Sequence, residues 1–173
     1  MITLTQGLSE CFSAKIMSLY CAAQEEEIHL CMTTYPKSPK QMTSGMIYFP
    51  RMLNKIRLHA SGELHEDYHK NLGAQRAVDG AYCNFLRVNY ADLRERVLQG
   101  GTDEEILEWC FEKGRRLNEG DIIVWNGFAS KLGWCDFATP TLKRAKEKAS
   151  ISDREDIATI PDLIDFDEDR FPE

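Results

Sequence analysis

Positive charge is in deficit in this 173-residue chain, with 21 Lys and Arg against 28 Asp and Glu and a formal net charge of −7 at pH 7. A surface of that sign repels nucleic acid and anionic membranes, so neither is expected as a partner. The six cysteines, at positions 11, 21, 31, 83, 110 and 135, include no C-x-x-C pair, and no secretory leader precedes them. That spacing excludes a ribbon zinc site and gives no disulfide framework, so the cysteines read as reduced thiols and the expected compartment is the cytoplasm. Long apolar runs are also missing: the stretch from Cys11 to Ala23 is interrupted by Lys15 and followed by Glu25, Glu26 and Glu27, too short and too polar to span a bilayer. There is no glycine-rich phosphate loop, no Ser or Cys with a histidine partner legible in the sequence, and no run of alternating β-branched residues.

What the chain does have is helical periodicity, and the expected fold class is all-α: one compact irregular helical bundle over 44–173 with an N-terminal extension and linker over 1–43. Within the extension, Leu8, Cys11, Phe12, Ile16, Leu19 and Tyr20 recur at steps of three and four, as an amphipathic helix over 8–31 would require. The following Pro-, Lys- and Ser-rich stretch reads as linker, and Met32 just before it would serve equally well as a start. Beyond it, Phe49, Met52, Leu53, Ile56 and Ala60 form the stripe of a first core helix that Pro50 enters only in its first turn and Ser61-Gly62 ends. Residues 63–80 read as loop with short helical turns. Asn89 caps a helix through Leu98, and Thr102 with Glu105 makes a capping box for a helix up to Gly114. Asp121 leads Ile122, Trp125, Phe128, Ala129 and Leu132 towards Gly133, and Thr139-Pro140 opens a polar surface helix. In the acidic tail, Ile160, Leu163, Ile164 and Phe166 suit a short segment docked on the domain.

Three of the four histidines fall between Ser44 and Gly73, and His65-Glu66-Asp67-Tyr68-His69 spells H-E-x-x-H. On an α-helix that spacing sets two imidazoles one turn apart on one face, where they could grip zinc while the glutamate activates its water, so a zinc-dependent hydrolase is one alternative function. Against it stand Gly62 and Gly73 on the flanks, charged Asp67 at a middle position and the absence of any histidine after His69. No cofactor or metal is expected on that balance. The preferred reading is a small polar or anionic ligand bound by Arg51, Lys55, Tyr68, His69 and Asn71, converging at one concavity between the first core helix and the loop after it. Its plain counterpart is that the basic residues of that helix, Arg57 included, are simply solvated. A protein–protein adaptor without a pocket is the other alternative, and it calls for an exposed apolar patch at Trp109 or Trp134.

Several of these segments carry a resemblance. Gly45-Met46-Ile47-Tyr48-Phe49-x-Arg51-Met52-Leu53-x-Lys55-Ile56-Arg57-Leu58-His59-Ala60, Asp67-Tyr68-His69-x-Asn71-Leu72-Gly73, the run from Gly101 to Cys110, Val124-Trp125-Asn126-x-Phe128-x-Ser130-Lys131-x-Gly133-Trp134 and the closing Asp153 to Arg170 resemble the family called domain of unknown function 5069. The similarity runs over about 45–170. It implies a stand-alone bacterial domain of mostly helical character and attaches no activity to it. Asn54 stands where the family pattern more often carries Asp, and His65 where it more often carries Pro, which weakens the zinc reading. The stretch AQRAVDGAY after Gly73 departs from the pattern as well.

Overall fold

The computed structural model describes residues 34–170; the expected helix over 8–31 lies outside them. Chain order begins with a minimal hairpin. Ser44 and Gly45 both have positive φ, 47° and 79°, the two-residue turn whose twist matches that of its strands. It pairs β1 (Met42–Thr43) antiparallel with β2 (Met46–Ile47), Met42 opposite Ile47. Everything after the hairpin is helical, as the all-α expectation requires: α1 (Phe49–Ser61), a 3-10 helix (Glu66–Asn71), α2 (Val78–Leu86), α3 (Tyr90–Leu98), α4 (Asp103–Lys113), α5 (Glu119–Ser130), α6 (Thr139–Lys148) and α7 (Ile160–Asp167).

Local signals account for most of the boundaries. Asn89 accepts from the Ala91 N–H at the head of α3, and Thr102 and Glu105 form the reciprocal capping box of α4. Gly62, at φ 78°, closes α1 in the left-handed conformation. At α5 the structure corrects the expectation: Asn118 is the cap and Asp121 is the third helical residue bonding back to it, so the helix begins at Glu119. Thr159 and Asp162 repeat that device on α7, which makes the acidic tail a capped helix.

The larger difference is α2, which sequence reading left as loop and unassigned chain. Its apolar residues Val78, Ala81, Tyr82, Phe85 and Leu86 follow helical spacing, and Tyr82 and Leu86 are wholly buried. Gly80 explains its placement: a Cβ there would stand 2.4 Å from the Ala74 carbonyl oxygen, so only glycine lets the preceding loop cross the helix. The main core gathers the hairpin and α1 to α5 around Phe49, Met52, Leu53, Ile56, Tyr82 and Trp125. Ring centroids of Tyr82 and Trp125 are 4.5 Å apart, edge to face, and Phe49 meets Tyr82 at 5.4 Å. Each such side chain contributes about 1.5–3 kcal/mol by leaving water. A second, smaller cluster of Leu142, Ile157 and Leu163 joins α6 to α7.

Tyr35 to Thr43, expected to be linker, is packed. Pro36, Pro39 and Thr43 are buried, the Lys37 N–H donates to Asn54 at 2.9 Å, and the Ser38 hydroxyl donates to Asp165 at 3.0 Å. Asn54 thus serves as an acceptor for backbone. Among the described residues no helix is long and apolar enough to cross a membrane.

Candidate functional site

Two basic residues of α1 point into the protein. Arg51 is 2 % exposed and Lys55 3 %, one helical turn apart on the same side of the helix, although a charge at such a position is expected in water. Burying them is tolerable only because each is met by a carboxylate with matching geometry. The Lys55 ammonium donates to both oxygens of Asp79, at 2.7 and 2.9 Å, and lies 3.1 Å from the Tyr48 hydroxyl. Those contacts use all three of its donors. Asp79, in the first turn of α2, is 0 % exposed and also accepts from the Tyr48 hydroxyl at 2.9 Å. Tyr48 takes part from a strained position: its φ of 74° is uncommon for a bulky residue, and it places the ring just ahead of α1 and the hydroxyl inside the layer.

Arg51 makes the second pair. Its guanidinium grips Glu168 with two parallel bonds, 2.9 Å from Nη1 and 2.6 Å from Nη2, and Nη1 also donates to the Lys37 carbonyl at 2.7 Å. Tyr68 donates to Glu168 at 2.6 Å, and Arg170 reaches Glu168, Asp165 and the Pro36 carbonyl. Glu168 lies 117 residues beyond Arg51 in the chain, so this cluster fastens the C-terminal segment and the 36–38 backbone to α1.

Electrostatics follow the geometry. Burial pulls the Lys55 pKa below its ordinary value, partly offset by the charge and hydrogen bonds of Asp79. Burial, then Asp79, pushes Tyr48 far up; burial and the bond to Glu168 do the same to Tyr68, so both remain neutral donors. Burial opposes ionisation of Glu168, but the hydrogen bonds and charge of Arg51, with Tyr68 and Arg170, hold its carboxyl below the usual range. Burial raises the thiols of Cys83 and Cys110 to about 12, which makes them inert core groups.

Of the five residues expected to converge, Arg51, Lys55 and Tyr68 are drawn into this buried layer. His69 is not part of it: its Nε2 lies 3.1 Å from the Leu64 carbonyl oxygen and its ring meets His59 edge to face at 4.8 Å. Asn71 is exposed at the end of the 3-10 helix, and Arg57 pairs with Asp103 at 2.7 Å. Asp79 and Glu168, the two partners that complete the layer, escaped sequence reading. The first hid in the stretch after Gly73, where the helical spacing of Val78, Ala81, Tyr82 and Phe85 was the available signal; the second is one acid among many in the tail.

The H-E-x-x-H letters do not form a helical face. His65 precedes the 3-10 helix as its cap, accepting from the Asp67 N–H, and a fourth residue in a three-per-turn helix points about 120° away. Among the described residues no group of three or more His, Cys, Asp or Glu is placed to hold a metal ion.

Two features stand on the outside of the domain. An open groove of about 290 Å³ lies between α3 and α4, lined by Arg87, Asp92, Glu95, Arg96, Trp109 and Lys113 among others, away from the α1 layer. Its charges are of both signs, and Arg96 is bonded to the Gly100 carbonyl at 2.6 Å. The other feature is apolar. On α5 the side turned from Trp125 and Ala129 carries Gly120, Ile123, Val124, Gly127 and Ser130, with Ile123 71 % and Val124 67 % exposed, while Phe128 lies at its edge with its ring centroid 5.6 Å from that of Trp125. Phe137, 79 % exposed, stacks on Phe128 with centroids 6.4 Å apart, and Trp134 is 57 % exposed nearby in the chain. Trp109, by contrast, is half-buried against the core.

Fold and site together define a mostly helical domain braced by a buried layer of ion pairs and carrying an uncharged apolar helix face on its outside. The chain belongs to the family described as domain of unknown function 5069, whose model matches residues 33–170. No curated protein matches it.

Proposed function

We propose that this chain is a protein-interaction module that works through the outward face of α5 and the adjoining Phe137, rather than a receptor for a small ligand. One observation carries the reading: between Glu119 at its start and Lys131 just past its end, the solvent side of α5 carries no charge, and Ile123 and Val124 stand exposed there. An exposed apolar stripe on a helix already covered on its other side marks a surface for a further partner. An anionic ligand at Arg51, Lys55, Tyr68, His69 and Asn71 would have to displace Glu168 or Asp79, and stripping a partner from a buried pair costs about 3–5 kcal/mol.

The test is a photo-crosslinking residue placed at Val124 in the full chain in cells, with Glu112 on exposed α4 as the control position. Covalent adducts with a polypeptide at 124, absent at 112 and abolished by a second substitution Gly127→Arg, are expected. A chain that forms no adduct at 124 would sink the reading.

A further inference from the structure

We propose that the occupant of this face is a second copy of the same chain, with the two α5 helices packed antiparallel about a two-fold axis. The inference rests on the interaction-module reading and names its partner. Four features of α5 agree with that geometry. First, the face is bracketed by one charge of each sign, exposed Glu119 at the N-terminus and exposed Lys131 just past the C-terminus, neither with an ion-pair partner among the described residues. An antiparallel copy centred on position 125 sets each Glu119 against the other's Lys131, and the helix dipoles oppose as well. Second, the same register places Ile123 of each copy over Gly127 of the other. Among the described residues nothing lies within 4 Å of where a Gly127 Cβ would be, so this glycine answers no packing need there. Glycine within a helix costs about 0.5–1 kcal/mol relative to Ala, and a closely approaching partner backbone is a reason to keep it.

Third, the chain carries −7 overall, so copies repel across most of their surface, and the uncharged α5 stripe is where they can approach. Fourth, Ile123 and Val124, 71 % and 67 % exposed, present apolar side chain on or beside the stripe that this register brings together. A heterologous partner would have no reason to match Glu119 and Lys131 in the register that also seats Ile123 on Gly127.

Sedimentation equilibrium of the full chain over a range of concentrations tests this. The expected mass approaches twice 19.9 kDa as concentration rises. Gly127→Arg, at an open helical position that accepts a side chain, should yield a folded monomer with unfolding no less cooperative than wild type. Glu119→Lys and Lys131→Glu should each weaken the dimer by about tenfold, because each repulsive contact occurs twice, and the double swap should restore it. A wild-type monomer at every concentration, or a dimer indifferent to Gly127→Arg, overturns the proposal. A dimer without charge-swap rescue overturns it too, since the antiparallel register is then wrong. Adducts of Val124 with a different polypeptide, on a chain that stays monomeric, would leave the interaction reading standing and remove only the second copy.

Discussion

Replacing Asp79 by Ala removes the acceptor for two of the three hydrogen bonds made by Lys55 and leaves an ammonium 3 % exposed in the core. Tyr48 loses its acceptor in the same stroke. An orphaned buried charge costs about 3–5 kcal/mol, and a domain of this size is stabilised by only about 5–15 kcal/mol in total. At about 2–4 °C per kcal/mol, the melting temperature should fall by about 6–20 °C. Urea unfolding followed by both tryptophan fluorescence and circular dichroism would measure the loss and verify that the transition stays two-state. The complementary variant replaces the whole cluster: Lys55→Met with Asp79→Leu and Tyr48→Phe keeps volume and leaves no polar group behind. Its stability should return to within about 1 kcal/mol of wild type or exceed it. The single and combined variants form a cycle whose large coupling energy is the signature of a pair that acts as a unit. Asp79→Ala costing less than about 1 kcal/mol would refute the reasoning, because Lys55 would then have to be hydrated in the folded state.

Glu168→Gln probes the second pair through pH. The folded carboxyl titrates below its ordinary 4.5, so its contribution is present above that value and is lost as pH falls through the lower folded one. Wild type should therefore exceed the variant by about 3 kcal/mol at pH 7, with the gap closing below pH 4.5; a gap independent of pH would contradict the assignment. Tyr82 offers the opposite case. Its hydroxyl is buried without a hydrogen-bond partner among the described residues, so Tyr82→Phe should be neutral or stabilising by about 1 kcal/mol in urea unfolding. A clear destabilisation would mean that the hydroxyl has an acceptor after all.

Local chemistry was legible in the residues alone. The caps at Asn89 and Thr102, the stop at Gly62 and the entry of Pro50 in the first turn of α1 each depend on backbone groups within four residues, so the helices they bound could be read without knowing what surrounds them. The same holds for fold class: helical spacing over most of the chain and no run of alternating β-branched residues pointed to a mostly helical domain. Of the two tryptophans weighed for an exposed surface, Trp134 is exposed and Trp109 is half-buried against the core. What sequence could not resolve was direction. Arg51 and Lys55 lie off the apolar stripe of α1, and off-stripe charges ordinarily face water; here Asp79 and Glu168, 24 and 117 residues further along, arrive to neutralise them. Only the assembled fold supplies those partners. The α5 stripe has the same character, since Ile123 and Val124 are ordinary core residues by type, and it was the docking of Trp125 and Asn126 on Ile47 of β2 that turned them outward. Short-range hydrogen bonding and periodicity decide where helices begin and end; which side of each helix is inside depends on contacts between residues far apart in the chain, and those exist only once the helices have packed.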